Sequence, residues 1–212
     1  MAMGLARWWD ETVVPRIIRC GCAQAPIMEI RKDVVPLATG CVFELGCGGG
    51  INQQLLDPAR IESYAGLDPS GKGLDYARAA AAEKGWDADI RQGVGEDIPF
   101  GDESFDTVVC TFTLCSVHDH GRTLSELRRV LRPGGTLFFA EHGRAPDAKV
   151  ARFQERIDPV WSKVFGNCHL SRPVTSAVAV AGFATEPTGA RYMGVGPRFA
   201  GWMEWGRAVK TG

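Results

Sequence analysis

Apolar positions along the chain follow two alternating rhythms. Short runs rich in Val, Leu, Ile and Phe fall at about 41 to 46, 62 to 67, 87 to 92, 105 to 111 and 135 to 141, each the length of a buried strand. Helical patterns fit between them at about 50 to 57, 71 to 84 and 120 to 131, the last stopped by Pro133-Gly134-Gly135. This alternation predicts an α/β fold built on a mostly parallel sheet covered on both faces. After the fifth strand the rhythm changes. Residues 147 to 165 predict a helix interrupted or kinked near Pro159, and 173 to 181 a shorter one. Phe183 to Thr188 and Phe199 to Val209 supply the last two strands, joined by a long turn carrying Gly189, Gly194, Gly196 and Pro197. Ahead of the first strand, residues 5 to 38 read as helical pieces broken at Pro15, Pro26 and Pro36, with Trp8, Trp9, Val13, Val14, Ile17 and Ile18 on an apolar side. Such a preface serves either as a lid over a ligand cleft or as packing.

The densest chemical signal lies where the first strand ends, in Val42-Phe43-Glu44-Leu45-Gly46-Cys47-Gly48-Gly49-Gly50. Alternate glycines after a buried strand allow a tight turn into a helix and let a ligand lie against the backbone. A dinucleotide site would place pyrophosphate at that helix start with G-x-G-x-x-G spacing. Here the third glycine comes one residue early, and Glu44 would put negative charge beside the pyrophosphate. A carboxylate there suits the cationic methionyl end of S-adenosylmethionine, directly or through water.

Composition narrows the partners. A chain of 212 residues buries roughly 70% of its unfolded surface, enough for one substantial core and one domain. A hydrophobic content of 45% and a net charge of -1 fit a globular protein without steering toward nucleic acid, and no basic run interleaved with aromatics is present. The 7 cysteines, Cys20, Cys22, Cys41, Cys47, Cys110, Cys115 and Cys168, form no closed disulfide pattern. Several sit in apolar runs, so free thiols in a reducing, cytoplasmic setting are expected. Cys20-x-Cys22 lacks companions at ligand spacing, and no metal site is expected. No signal-peptide core or membrane-spanning stretch is read from the sequence.

Five segments in order, Glu44-Leu-Gly-Cys-Gly-Gly-Gly50, Gly66-Leu-Asp-Pro-Ser70, Gly95-Glu-Asp-Ile-Pro-Phe100, Phe105-Asp-Thr-Val-Val109 and Glu126-Leu-Arg-Arg-Val-Leu-Arg-Pro-Gly-Gly135, resemble the class I S-adenosylmethionine-dependent methyltransferases from about residue 38 to the end. The resemblance implies a Rossmann-like seven-stranded sheet of order 3-2-1-4-5-7-6 with strand 7 antiparallel, in a single domain over 1–212, with 1–38 as a helical lid and 144–181 as a helical substrate-side insertion. It also implies S-adenosylmethionine as cofactor, S-adenosylhomocysteine as product, and a small-molecule acceptor. Further segments, Val109 to Val117, Phe139-Ala-Glu-His142 and Gln154 to Arg172 with its Asp158-Pro-Val-Trp161, Phe165 and Cys168-His169, resemble thiol S-methyltransferases of vertebrate membranes and their bacterial relatives. The apolar N-terminal anchor of those membrane proteins is not matched. Related small methyltransferases act on phospholipid amines and quinone precursors, so sulfur, nitrogen, oxygen and carbon acceptors all stay open, as does a module that binds the cofactor without turnover.

By position in the family motifs, the resemblance implies cofactor contacts at Glu44, Gly46, Cys47, Gly48, Gly50, Asp68, Pro69, Gly95, Glu96, Thr111 and Leu114. Asp68 would accept both ribose hydroxyls, as paired acceptor oxygens allow, or else cap the helix that follows. Val94 departs from the acid often found there and leaves adenine to Glu96, Asp97, water or backbone. His142, just past the fifth strand, and His169, in the later insertion, are candidates to position an acceptor or remove its proton, against structural roles for either. His118 and His120 are candidate caps for the helix near 120. Trp161 and Phe165, with Trp8 and Trp9, can line an apolar acceptor or simply fill a core.

Overall fold

A computed structural model describes residue 21 and residues 23–211. The first described helix, α1 (Ala25–Val34), presents Ile27, Ile30 and Val34 to the interior at helical spacing. A 3-10 turn at Val35–Leu37 follows, and then β1 (Gly40–Leu45) enters the sheet. Next come β2 (Ile61–Asp68), α2 (Gly71–Glu83), β3 (Asp89–Gln92), β4 (Phe105–Thr111), α3 (His120–Val130) and β5 (Leu131–His142). The chain closes with α4 (Ala148–Val164), α5 (Val174–Val180), β6 (Phe183–Tyr192) and β7 (Trp202–Lys210).

Seven strands lie in the order β3-β2-β1-β4-β5-β7-β6. The pairs from β3 to β5 are parallel, whereas β7 runs antiparallel between β5 and β6. Strands buried on both faces must alternate between two cores. Val42, Tyr64, Val109 and Ala140 pack with α1 and α2 on one side, and Phe43, Leu45, Val108 and Phe139 with α3 and α5 on the other. Phe43 and Phe139 are fully buried, each contributing about 1.5–3 kcal/mol relative to exposure. A third cluster at the carboxyl edge joins Cys115, Cys168 and Leu170 to Ile157, Trp161, Phe165 and Phe199.

Several local expectations need correction. The stretch expected as a helix at about 50 to 57 holds only a 3-10 turn, Asn52–Gln54, with a second at Pro58–Arg60. Between Gly50 and Pro58 there is no room for a full amphipathic helix, and Asn52 and Gln53 are buried as polar ligands rather than exposed. Pro133-Gly134-Gly135 does not precede β5 but lies inside it, in the irregularity that shifts the pairing between Phe105↔Leu131 and Thr107↔Thr136. Gly189 is in β6 rather than in a turn, because the Trp205 ring crosses it where a Cβ would approach within 2.3 Å. Pro159 sits inside α4 without ending it. The cap of α3 is Asp119, whose Oδ1 accepts from Arg122 N at 2.9 Å, and not a flanking histidine. Within 144–181, Val174 and Val178 of α5 belong to the core under the sheet, so only α4 and the loop after it reach the carboxyl edge.

Candidate functional site

The parallel strands end on one edge, where open α/β sheets place their ligands. Leu45, Asp68, Thr111 and His142 are the last residues of β1, β2, β4 and β5. Gly46 takes φ +79°, and a Cβ there would lie 2.0 Å from Thr113 Oγ1. A Cβ on Gly48 would lie 2.5 Å from Asp68 Oδ2, which instead accepts Gly48 N–H at 2.9 Å. The loop from 46 to 50 therefore runs bare backbone closely against Asp68 at the end of β2 and Thr113 just past β4, an approach that only glycine permits.

Glu44 is buried beneath this loop. Its carboxylate accepts from Asn52 Nδ2 at 3.0 Å and from the Tyr64 hydroxyl at 2.5 Å. Burial pushes its pKa up to about 7 against the pull of Tyr64, Arg31 and Asn52. Asn52 also donates to Thr111 Oγ1 at 2.9 Å. Arg31 of α1 donates to Asn52 Oδ1 at 2.5 Å and to Thr111 Oγ1. A carboxylate and a guanidinium at one strand edge complement an α-amino acid end, with its ammonium and carboxylate. Asp68 Oδ1 accepts Ser70 N–H at 2.8 Å, so backbone bonds fix both carboxylate oxygens and leave lone pairs for a diol. Burial raises the Asp68 pKa despite those bonds. The cap of α2 is Ser70 itself. These groups fit a nucleoside with a methionyl end.

The Cys47 side chain is buried against Gly66, Gly50 turns against Tyr76 and Ala80 of α2, and the Pro69 carbonyl accepts from Gln92. Gly95 lies against Thr123 and Leu45, and Glu96 Oε1 accepts Asp119 N–H at 2.9 Å, bracing the start of α3. Leu114 points into the core beneath the sheet while its carbonyl accepts from Arg172 Nη1 at 2.6 Å.

Beyond β4 the edge changes character. Phe112 adopts φ +54°, a conformation costing on the order of 1–3 kcal/mol for a residue with a side chain. Its ring lies 4.7 Å from the Arg31 guanidinium and edge-on to His142 at 5.6 Å. Fully buried Glu141 gathers the next loop, taking the N–H groups of Thr113, Leu114 and Cys115 at 2.9, 2.9 and 3.1 Å. Burial lifts its pKa to about 7 against those bonds. His142 Nδ1 lies 4.0 Å from Cys168 Sγ, which is 3.7 Å from Cys115 Sγ. The Cys115 hydrogen bond holds the Cys168 pKa well below the usual thiol range, and Cys115 itself is held well above it. Burial works against the His142 imidazolium, but Cys168 and Glu141 outweigh it and raise its pKa. His169 Nδ1 pairs with Asp158 Oδ2 at 2.7 Å, and its backbone N–H is bonded to the Cys115 carbonyl at 2.8 Å.

Spacing alone does not single out Arg31, Asn52, Tyr64, Glu141, Asp158 or Cys168. Each acts through a partner between 8 and 80 positions away in the chain. Asn52, just past the glycines, carried the nearest local signal. Trp8, Trp9, Cys20, Cys22 and most of the 1–38 lid expectation lie outside the described residues.

Residues 43–139 match the methyltransferase domain family. The human thiol S-methyltransferase TMT1B is 36% identical over 170 residues, covering 76% of this chain and 68% of that protein. The ubiquinone biosynthesis O-methyltransferase of Pseudomonas entomophila is 33% identical over 153 residues, covering 67% and 60%. In fold, a solved S-adenosylmethionine-dependent methyltransferase of Thermotoga maritima superposes with a TM-score of 0.64 at 24% identity, covering 97% of this chain and 93% of that one. The sheet order, the glycine edge and these relatives agree: the chain belongs to the class I S-adenosylmethionine-dependent methyltransferases and uses S-adenosylmethionine as its methyl donor.

Proposed function

We propose that the methyl acceptor is the sulfur of a small, largely apolar thiol. The observation that carries this reading is the 36% identity to a thiol S-methyltransferase over 76% of the chain. Apolar side chains near the β4–β5 end support it: Ile157, Trp161 and Phe165 pack with Cys115 and Cys168, and with Arg156, Val160 and Val164 they line an open, mostly apolar depression of about 320 Å³ on α4. Glu44 and Arg31 hold the methionyl end, Asp68 the ribose, and the loop at 46 to 50 lies under the chain between them. Methyl transfer then needs the acceptor lone pair about 3–3.5 Å from the methyl carbon and opposite the departing sulfur, so placement and exclusion of water supply much of the rate. His142 walls the acceptor end of β5 and places the sulfur. His169, with Nδ1 committed to Asp158, offers Nε2 to take the thiol proton. A thiol near its free pKa of about 8.5 needs only modest help to ionise at neutral pH.

The test is competition. The chain is incubated with methyl-labelled S-adenosylmethionine and an equimolar mixture of an alkyl thiol, an alkyl amine and a catechol, and products are resolved by mass spectrometry. Labelled thioether as the main product is expected. O-methylated catechol alone would overturn the thiol reading in favour of the quinone-precursor chemistry suggested by the ubiquinone-pathway relatives. Among the described residues no helix is long and apolar enough to cross a membrane.

A further inference from the structure

Resting on the thiol reading above, we propose that Cys115, His142 and Cys168 form a zinc-class cation site whose fourth position is open to the acceptor sulfur. The three come from distant parts of the chain: the loop after β4, the last residue of β5 and the turn after α4. Their ligand atoms all lie within 4.8 Å of one another. Tetrahedral zinc with bonds of about 2.3 Å to sulfur and 2.0–2.1 Å to nitrogen sets S···S near about 3.8 Å and S···N near about 3.6 Å. The observed separations are 3.7 Å between the sulfurs and 4.0 Å from Cys168 Sγ to His142 Nδ1. The third pair, Cys115 Sγ and the His142 ring, lies within 4.8 Å, so side-chain rotation has to draw it in.

Donor chemistry points the same way. Two thiolates and an imidazole select zinc over magnesium or calcium, whose ligands are oxygens. Three protein ligands are the number found in catalytic zinc sites, which keep one position open, whereas structural sites use four. A disulfide would use Cys115 and Cys168 alone and leave His142 without a part. The backbone that carries Cys115 and the ring of His142 are held in place. Glu141 takes the Cys115 N–H, the His169 N–H bonds the Cys115 carbonyl, and Phe112 stands edge-on to the His142 ring. That same Phe112 ring carries Arg31 at 4.7 Å, so the cluster lies one aromatic ring away from the group that receives the methionyl end.

In this site the acceptor thiol binds the cation as thiolate, its proton passing to His169. A sulfur lone pair forms the new S–CH3 bond as the methyl–sulfonium bond breaks, its electron pair staying on the leaving sulfur. The thioether product has lost its negative charge and is a weak ligand, so it departs. No oxidant or reductant is consumed.

Cobalt(II) titration of the reduced, chelator-stripped full chain tests the site. One cobalt per chain is expected, with sulfur-to-cobalt charge transfer, the visible bands of a tetrahedral centre, and displacement by zinc. Cys168→Ser and Cys115→Ala should each weaken cobalt binding about tenfold or more while circular dichroism and cofactor affinity stay unchanged. The double variant Cys20→Ser/Cys22→Ser should retain the centre. Propanethiol should shift the visible bands, and the zinc-loaded chain should methylate it about tenfold faster than the stripped chain. Absence of tetrahedral bands in a folded chain that still binds cofactor overturns the site. So does full-rate thiol methylation by the stripped chain, which leaves the thiol reading standing. A formed centre whose bands ignore propanethiol, together with methylation of amines or phenols only, overturns the thiol reading and the open position with it.

Discussion

The two halves of the carboxyl edge are built from different materials. The β1–β2 half is largely backbone: glycines that admit no Cβ and a carboxylate, Asp68, whose two oxygens are pinned by backbone N–H groups, with Glu44 held below by Asn52 and Tyr64. The β4–β5 half is side chain: two thiols, two imidazoles, a buried glutamate and an aromatic ring in a left-handed turn. A ligand common to a whole family can be met by backbone, which substitution of side chains leaves alone. An acceptor that differs from one family member to the next has to be met by groups that can be exchanged. Damage to the first half should therefore remove cofactor binding, and damage to the second should spare binding and lower turnover.

The most severe break is Gly46→Val. The new branched side chain meets Thr113 Oγ1, with the Cβ alone at 2.0 Å, and Gly46 holds φ +79°, where β-branched residues are strained. Loss of measurable cofactor binding is expected, with circular dichroism showing the sheet retained. Unaltered affinity in a folded variant would remove the loop from the cofactor site.

His169→Ala probes the other half. Loss of a positioned base costs about a hundredfold in turnover at neutral pH, while cofactor affinity by calorimetry should hold. The deficit should shrink as pH rises toward and beyond the thiol pKa of about 8.5, because solution then supplies thiolate. Asp158→Asn, which spoils the 2.7 Å contact to His169 Nδ1, should follow the same pH trend with a smaller loss. A deficit constant from pH 6 to 9 would show cavity damage rather than proton transfer.

How far the sequence reveals these two halves follows from their materials. Glycine spacing and Asp68 at a strand end are local patterns, and the close approaches at Gly46 and Gly48 agree with them; the sheet order, implied by the family resemblance, is the one observed. The segment after Gly50 misleads because its apolar residues mimic a helix while Asn52 and Gln53 are turned inward to serve Glu44 and Tyr64. Cys168 and Asp158 gain meaning only once α4 folds back over the β4 and β5 ends. His142 and His169 are visible as reactive residue types, yet their partners at 4.0 and 2.7 Å are set by tertiary packing alone.

Asp68→Ala sharpens the cofactor half. Losing hydrogen bonds to a charged acceptor costs about 1.5–3 kcal/mol, so affinity should fall about tenfold to a hundredfold with turnover at saturating cofactor less affected. A KM effect without a binding change would place Asp68 on the acceptor instead.

The smallest effect is a pH slope carried by Glu44. With its pKa at about 7 in the cofactor-free chain, part of the population is protonated at and below neutrality. A bound ammonium favours the carboxylate, so binding below pH 7 must release a proton. Affinity should therefore rise with pH, by at most about tenfold per unit, and level off above pH 7. Stability of the cofactor-free chain runs the opposite way. A raised carboxyl pKa makes the fold bind protons more tightly than the unfolded chain, so this contribution is full below the unfolded value of about 4.3 and is lost as pH rises through about 7. Glu44→Gln should flatten the affinity slope while leaving part of the stability slope, because Glu141 also titrates near 7 and lies with the acceptor half. Calorimetry at several pH values in buffers of different ionisation enthalpy counts the released proton directly. An unchanged affinity slope in Glu44→Gln would detach this carboxylate from the ammonium and leave Asp68 as the acidic contact of the cofactor.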